Sequence, residues 1–353
     1  MNAPDTILLT ITMGDPAGIG PEVIVGSWGD PLLAGVARRV VVGRVAVLQR
    51  AVELLRLDLK AVAIQDIGQL AGMGDNEIPV LEIEYPDADS AQPGVNSAIG
   101  GQAAFLAIDM ATRLALAGAV DGIVTAPISK KALHMAGHTQ WPGHTEMLAD
   151  LCGISKTVMM LYLSPRCPLV KSPVGLGVIH TTLHMSVRDA LVAISGEAII
   201  ATSRLANDFV MDMLRATGET RLPRIGIAAL NPHGGEEGMF GDEEIRIIAP
   251  AVMEGIRQGL PLTGPLPCDT LMHRAADGEF DCVVAMYHDQ GHIALKLLGL
   301  HHAVNVTLGL PIVRTSVAHG TAFDVAWKGT ARHSSMTEAI RVASCLARIP
   351  GSQ

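Results

Sequence analysis

Most of the residues able to do chemistry lie in a few short polar segments of an otherwise apolar chain. Histidines fall in three of them: His180 and His184 in HTTLHMSVRD, His233 in NPHGGEEG, and His288 and His292 in YHDQGH. Each segment also holds Asn, Asp or Glu. Neutral imidazoles suit Zn²⁺, Ni²⁺ or Co²⁺, and three protein nitrogens leave coordination positions open for substrate oxygens. The spacing is not HExxH, so any convergence must come from the fold. A lone histidine after a strand is more often a hydrogen-bonded structural residue. His144 and Thr145 in PGHTE stand at an expected helix start, where backbone N–H groups and the positive dipole end favour an anion. Thr145 also reads as a plain helix cap. Lys296, Asn305 and Arg314 lie in LKLLG, VNVTLG and PIVRTS. Cations in such apolar surroundings need partners, either internal carboxylates or a small anion clamped together with His144 and Thr145.

The elements that must position these groups alternate. Strand patterns cover Ile7–Met13, Val40–Val42, Pro79–Glu84, Gly122–Thr125, Val158–Leu163, Val174–His180, Ile225–Ala229, Cys282–Met286 and Val304–Thr307. Helical patterns cover Val45–Arg56, Ser97–Leu116, Lys130–Ala136, Thr145–Leu151, Ser186–Leu205, Glu243–Gln258 and Ser334–Arg348. Such alternation predicts an α/β fold with a largely parallel sheet. Nearly all the polar segments follow a strand, where open α/β sheets bind ligands. The first strand runs into GDPAGIGPE, whose glycines permit a tight turn and whose Pro21 suits a first helical turn. It is not GxGxxG, which disfavours a Rossmann phosphate loop. Hinges are expected at Ala126–Ser129 and Gly309–Pro311. They allow a discontinuous first domain made of the two chain ends, approximately 1–128 plus 310–353, with 129–309 as the second, an arrangement that pattern alone does not establish.

Composition narrows the partners. The chain has 353 residues, 49% of them apolar and 17% charged, with a mean hydropathy of +0.34, which excludes a disordered polymer. Net charge is −9 and aromatics make up 3%, so nucleic acid is a poor partner. The N-terminus does not read as a signal peptide, and no run reaches the ~20 apolar residues of a membrane helix. Five scattered cysteines without a CxxC pair suggest reduced thiols and a cytoplasmic protein.

The motifs ITMGDPAGIGPE, PGHTEML, NPHGGEEG, GPLPCDTL, AMYHDQGH, NVTLGLPIVRTS and HGTAFDVA together resemble the 4-hydroxythreonine-4-phosphate dehydrogenases of pyridoxal phosphate biosynthesis, over nearly the whole chain. The resemblance implies His184, His233 and His288 as ligands of one divalent metal (Zn, or Mg, Co, Ni or Mn), the last reaching across a homodimer interface. It implies His144, Thr145, Lys296, Asn305 and Arg314 as substrate contacts. More distantly, GDPAGIGPE and His319–Gly329 look like GDGIGPE and HGxAPDIAGKG of isopropylmalate and isocitrate dehydrogenases. That likeness implies their two-domain fold and a non-Rossmann nicotinamide site, with His319, Gly320 and Thr321 contacting NAD or NADP. Two departures stand out: Trp327 replaces a glycine, and Arg332-His333 stands where those enzymes have Asn.

The implied reaction is oxidation of 4-phosphohydroxy-L-threonine, followed by decarboxylation of the β-keto acid to 3-amino-2-oxopropyl phosphate. Metal at the hydroxyl would ease proton loss, and hydride would pass to the nicotinamide. Lys296 or Asp269 would relay a proton. The alternatives are a dehydrogenase of 4-phospho-D-threonate or 4-phospho-D-erythronate, one of a terephthalate cis-dihydrodiol, and a metal-dependent binding protein on the same scaffold.

Overall fold

The computed structural model describes residues 7–155 and 157–349. Among them the chain forms strands β1 (Leu8–Thr12), β2 (Arg38–Gly43), β3 (Lys60–Ile64), β4 (Glu77–Glu82), β5 (Gly122–Thr125) and β6 (Val158–Leu163). There follow β7 (Leu176–His180), β8 (Ile225–Ala228), β9 (Leu262–Leu266), β10 (Cys282–Ala285), β11 (Ala303–Leu308) and β12 (Arg314–Val317). The α-helices are α1 (Gly20–Trp28), α2 (Val45–Leu55), α3 (Ala98–Leu116), α4 (Lys130–Met135), α5 (His144–Leu151) and α6 (Val187–Ala193). The later ones are α7 (Gly196–Thr217), α8 (Ala249–Arg257), α9 (Cys268–Ala276), α10 (His288–Gly299) and α11 (Ser334–Ala347).

These elements form two compact units, one running to Thr157 and resuming at Leu310, the other Val158–Gly309. In the first unit the strand order is β3-β4-β2-β1-β5-β12 and every pair is parallel. Helix α3 packs on β1, β2 and β5, while α11 packs on β1, β5 and β12. Covered strands of this kind read as continuous apolar runs, as Val40–Val42 of β2 does. Helix α4 belongs here too, because Gly101 of α3 lets the backbones touch: a Cβ on it would lie 2.0 Å from the Ala132 oxygen. Residues 129–157 therefore pack with the first unit, and the boundary falls at 157, not 128.

In the second unit the order is β11-β6-β7-β10-β8-β9. The β11–β6 and β6–β7 pairs are antiparallel; β7, β10, β8 and β9 run parallel. Tyr162 of β6 is buried, edge-on to Phe209 of α7 at 5.2 Å, and its hydroxyl donates to the Val174 oxygen at 2.7 Å.

Three strands and three helices escape the sequence patterns. Of the strands, β3 and β9 lie at sheet edges, where short or Pro-bearing segments are tolerated (KAVAI, LTGPL), and β12 reads polar (RTSV) although all four residues are buried. Helix α1 has no helical pattern but starts beside Pro21, where a first helical turn is expected; α9 and α10 begin at Cys268 and His288, outside any helical pattern. The expected helix Ser186–Leu205 is two helices: α6 ends at Ala193 with Ile194 as its cap, and Ser195 caps α7, its hydroxyl accepting from Ala198 N at 3.2 Å.

Candidate active site

In the first unit the candidate residues lie at the start of β12, beside β5, at the start of α5 and in the loop after β1. Parallel register sets Arg314 of β12 against Ile123 of β5, so its guanidinium reaches Thr125 one pleat on; Nη2 donates to Thr125 Oγ1 at 2.7 Å. Arg314 is only 3% exposed, and burial pushes it down to about 9. His144 opens α5. Burial first, then the nearby positive charge of Arg314, hold its imidazole well below its ordinary pKa, so it is neutral. Its buried Nε2 has no hydrogen-bond partner among the described residues. Thr145 follows in the same first turn, whose amides have no intrahelical acceptor. A neutral imidazole, a buried guanidinium and a helix N-terminus thus meet in one place, and together they suit a small anion.

The loop after β1 folds over this edge. Gly14 has φ +73, and a Cβ there would lie 2.4 Å from the Pro127 oxygen, so only glycine fits. Asp15 is fully buried. Its Oδ1 accepts from Ala17 N at 2.9 Å, Oδ2 has no partner among the described residues, and burial raises the carboxyl to about 6. The segment His319-Gly320-Thr321 lies against the same loop: Ile19 N donates to the Thr321 oxygen at 3.1 Å, and a Cβ on Gly18 would come within 3.0 Å of Thr321. A Cβ on Gly320 would meet nothing within 4 Å, which leaves its backbone open to a ligand. An open glycine backbone of this kind allows the close approach that an anionic cofactor needs.

In the second unit His184, His233 and His288 stand beyond the carboxyl ends of β7, β8 and β10, which are neighbours in the order β7-β10-β8. The His184 and His288 rings are 5.8 Å apart; His288 stacks on His292 at 3.8 Å, and His292 Nδ1 lies 3.1 Å from His180 Nε2. Burial, then the charge of His288 and of Lys296, lower His292 to about 3. Lys296, one turn further along α10, thus belongs to this cluster. His233 sits apart in a left-handed turn (φ 54), its Nδ1 3.1 Å from Glu236 Oε1. Asp269 lies in the first turn of α9, accepting from Thr270 N at 2.9 Å, beyond Pro267, which packs near Gly234. Among the described residues no three His, Cys, Asp or Glu side chains are placed to hold a metal within one chain. The imidazole set itself suits a divalent ion. Asn305 lies on β11 opposite Leu161, its Oδ1 buried without a partner among the described residues.

Thr125 and the buried Asp15 were not singled out from the sequence, and His180 and His292 were singled out only as candidates for metal binding. The TAP sequence that ends β5 carries the signal for Thr125, since a hydroxyl there faces whatever the next parallel strand presents. No helix among the described residues is long and apolar enough to cross a membrane.

Residues 35–343 match the family described as "Pyridoxal phosphate biosynthetic protein PdxA". The chain is 42% identical to a D-threonate 4-phosphate dehydrogenase of Pectobacterium atrosepticum, covering 96% of this chain and 99% of the relative. It is 43% identical to a 4-hydroxythreonine-4-phosphate dehydrogenase of Geobacter metallireducens, covering 98% and 96%. A crystal structure of 4-hydroxythreonine-4-phosphate dehydrogenase from Klebsiella pneumoniae superposes with a TM-score of 0.82 at 44% identity, over 97% of this chain and 100% of that one. On the matched span and on these full-length likenesses, the chain belongs to the PdxA family.

Proposed function

We propose that this protein is a dehydrogenase that oxidises the secondary alcohol of a phosphorylated four-carbon hydroxy acid. The observation that carries the reading is the buried Arg314–Thr125 pair beside neutral His144 at the start of α5, a setting that suits a substrate phosphate. Both similar relatives are named for a 4-phosphate substrate. The first substrate is 4-phosphohydroxy-L-threonine, with decarboxylation to 3-amino-2-oxopropyl phosphate; the name of the Pectobacterium relative favours D-threonate 4-phosphate as a second.

Arg314, with Thr125 fixing one of its N–H groups, binds the phosphate and sets the substrate's orientation, which removes rotational freedom before reaction. His144 presents a neutral ring nitrogen to the same anion, and Thr145 adds a hydroxyl and a first-turn amide. Asn305 and Lys296 would supply further polar contacts to the substrate. Lys296 or Asp269 holds the proton that the alcohol and the later enolate exchange. A divalent cation, held by His184 and His233 of one subunit and His288 of a second in a homodimer, would supply Lewis acidity at the hydroxyl and the enolate. NAD or NADP at His319, Gly320 and Thr321 would accept the hydride.

The test is the appearance of reduced nicotinamide with a panel of 4-phosphohydroxy-L-threonine, D-threonate 4-phosphate, D-erythronate 4-phosphate and a terephthalate cis-dihydrodiol. Turnover of a phosphorylated acid supports the reading. Turnover of the dihydrodiol alone contradicts the phosphate assignment, and turnover of none supports a binding protein.

A further inference from the structure

Glu22, the third residue of α1, is 1% exposed and has no basic side chain within ion-pair distance among the described residues. A carboxylate taken out of water without a cation needs hydrogen-bond donors. Its donors come from the far end of the chain: Trp327 N to Oε2 at 2.5 Å, and Gly329 N to Oε1 at 2.8 Å. Two amides two residues apart can address one carboxylate only if the chain curls between them. Trp327 and Gly329 are both left-handed, with φ 59 and 70.

For a bulky residue that conformation is strained. A glycine adopts it without that strain. Here the indole holds the turn: Nε1 donates to the Pro16 oxygen at 2.9 Å, and the Arg50 guanidinium lies 3.9 Å from the ring centroid. The loop is thus fixed at both ends by the segment 14–22, at Thr321 through Ile19 and at 327–329 through Glu22.

We propose that Glu22 is the positioning residue of loop 319–329, setting the affinity for the nicotinamide cofactor without touching it, and that Trp327 with Arg50 replaces a glycine in keeping the required turn. This rests on reading 319–329 as the cofactor loop. Removing both acceptors frees two amides and the strained turn together, so Glu22→Ala is expected to raise the Kd and KM of NAD or NADP about tenfold or more. The effect on kcat at saturating cofactor and on the substrate KM stays within about threefold. Glu22→Gln keeps one acceptor oxygen, so it falls between wild type and Glu22→Ala. In the cofactor-free protein, tryptophan emission shifts to the red in Glu22→Ala, and the shift disappears when Trp327→Phe is added.

Calorimetric titration with NAD and NADP, steady-state kinetics and emission spectra read these effects. If Glu22→Ala does not fold, Glu22→Gln carries the test. Unchanged cofactor Kd in a folded variant overturns the proposal, as does a loss confined to kcat. If the wild-type protein binds neither dinucleotide, the reading of the loop itself fails, a result distinct from binding that ignores Glu22.

Discussion

Arg314→Met separates what the guanidinium costs the fold from what it contributes to binding. Arg314 is 3% exposed, and burial brings it to about 9 from an ordinary value of about 12.5. At about 1.36 kcal/mol per pKa unit, burial disfavours the charged form by up to about 5 kcal/mol at neutral pH. Methionine keeps much of the volume and removes that cost, at the loss of the bond that the Thr125 hydroxyl accepts from Nη2. The cofactor- and substrate-free variant should therefore melt at the same temperature as wild type or higher. Inorganic phosphate should raise the Tm of wild type and leave Arg314→Met unmoved. For the phosphorylated substrate, losing a buried charge partner costs on the order of 2–5 kcal/mol, roughly thirtyfold to several-thousandfold in kcat/KM. Differential scanning with and without phosphate, alongside initial rates, gives both numbers. A variant that loses more than about 2 kcal/mol of stability yet is still protected by phosphate would refute the reasoning.

Asp15 gives a pH test: its folded pKa of about 6 lies above the ordinary carboxyl value, so its burial is tolerated when protonated and weakens the fold as pH rises through 6. Asp15→Asn keeps the acceptor for Ala17 N, so it should raise the Tm at pH 8 and have little effect at pH 4; equal effects at both would contradict burial as the cause. Chelation should abolish turnover while circular dichroism stays unchanged, and an active metal-free enzyme would remove the histidines from the chemistry. Inactive His184→Ala and His288→Ala chains, mixed with verified subunit exchange, should regain activity through heterodimers with one intact site; no recovery would mean that each chain builds its own.

The sequence was most legible where apolar runs are short and bounded. Gly122–Thr125 and Val158–Leu163 end where the patterns end, and Ser97, placed inside the third helix by periodicity, is its cap instead, accepting from Gly100 N at 3.1 Å. It was least legible where burial is decided by neighbours in space. RTSV reads as polar because nothing local shows that β5 lies beside it, and without that register neither β12 nor the Arg314–Thr125 pair can be deduced. The boundary after residue 128 looked natural from Pro127. Yet Gly101 brings α3 against α4, and His138 Nε2 lies 2.9 Å from Gln102 Oε1, so the chain stays in the first unit until Thr157. The strand-end histidines were visible as residue types. That His180 and His292 pair in the second unit while His233 stands in its own left-handed turn depends on tertiary placement.

The central claim is that the buried cluster of Arg314, Thr125 and His144 reads a phosphate on the substrate. The most direct measurement is kcat/KM of the wild-type protein for a phosphorylated hydroxy acid and for the same acid without its phosphate, repeated in Arg314→Met. Preference for the phosphorylated acid by at least about thirtyfold, collapsing in the variant, is the predicted result. Equal or better turnover of the unphosphorylated acid by wild type would contradict it.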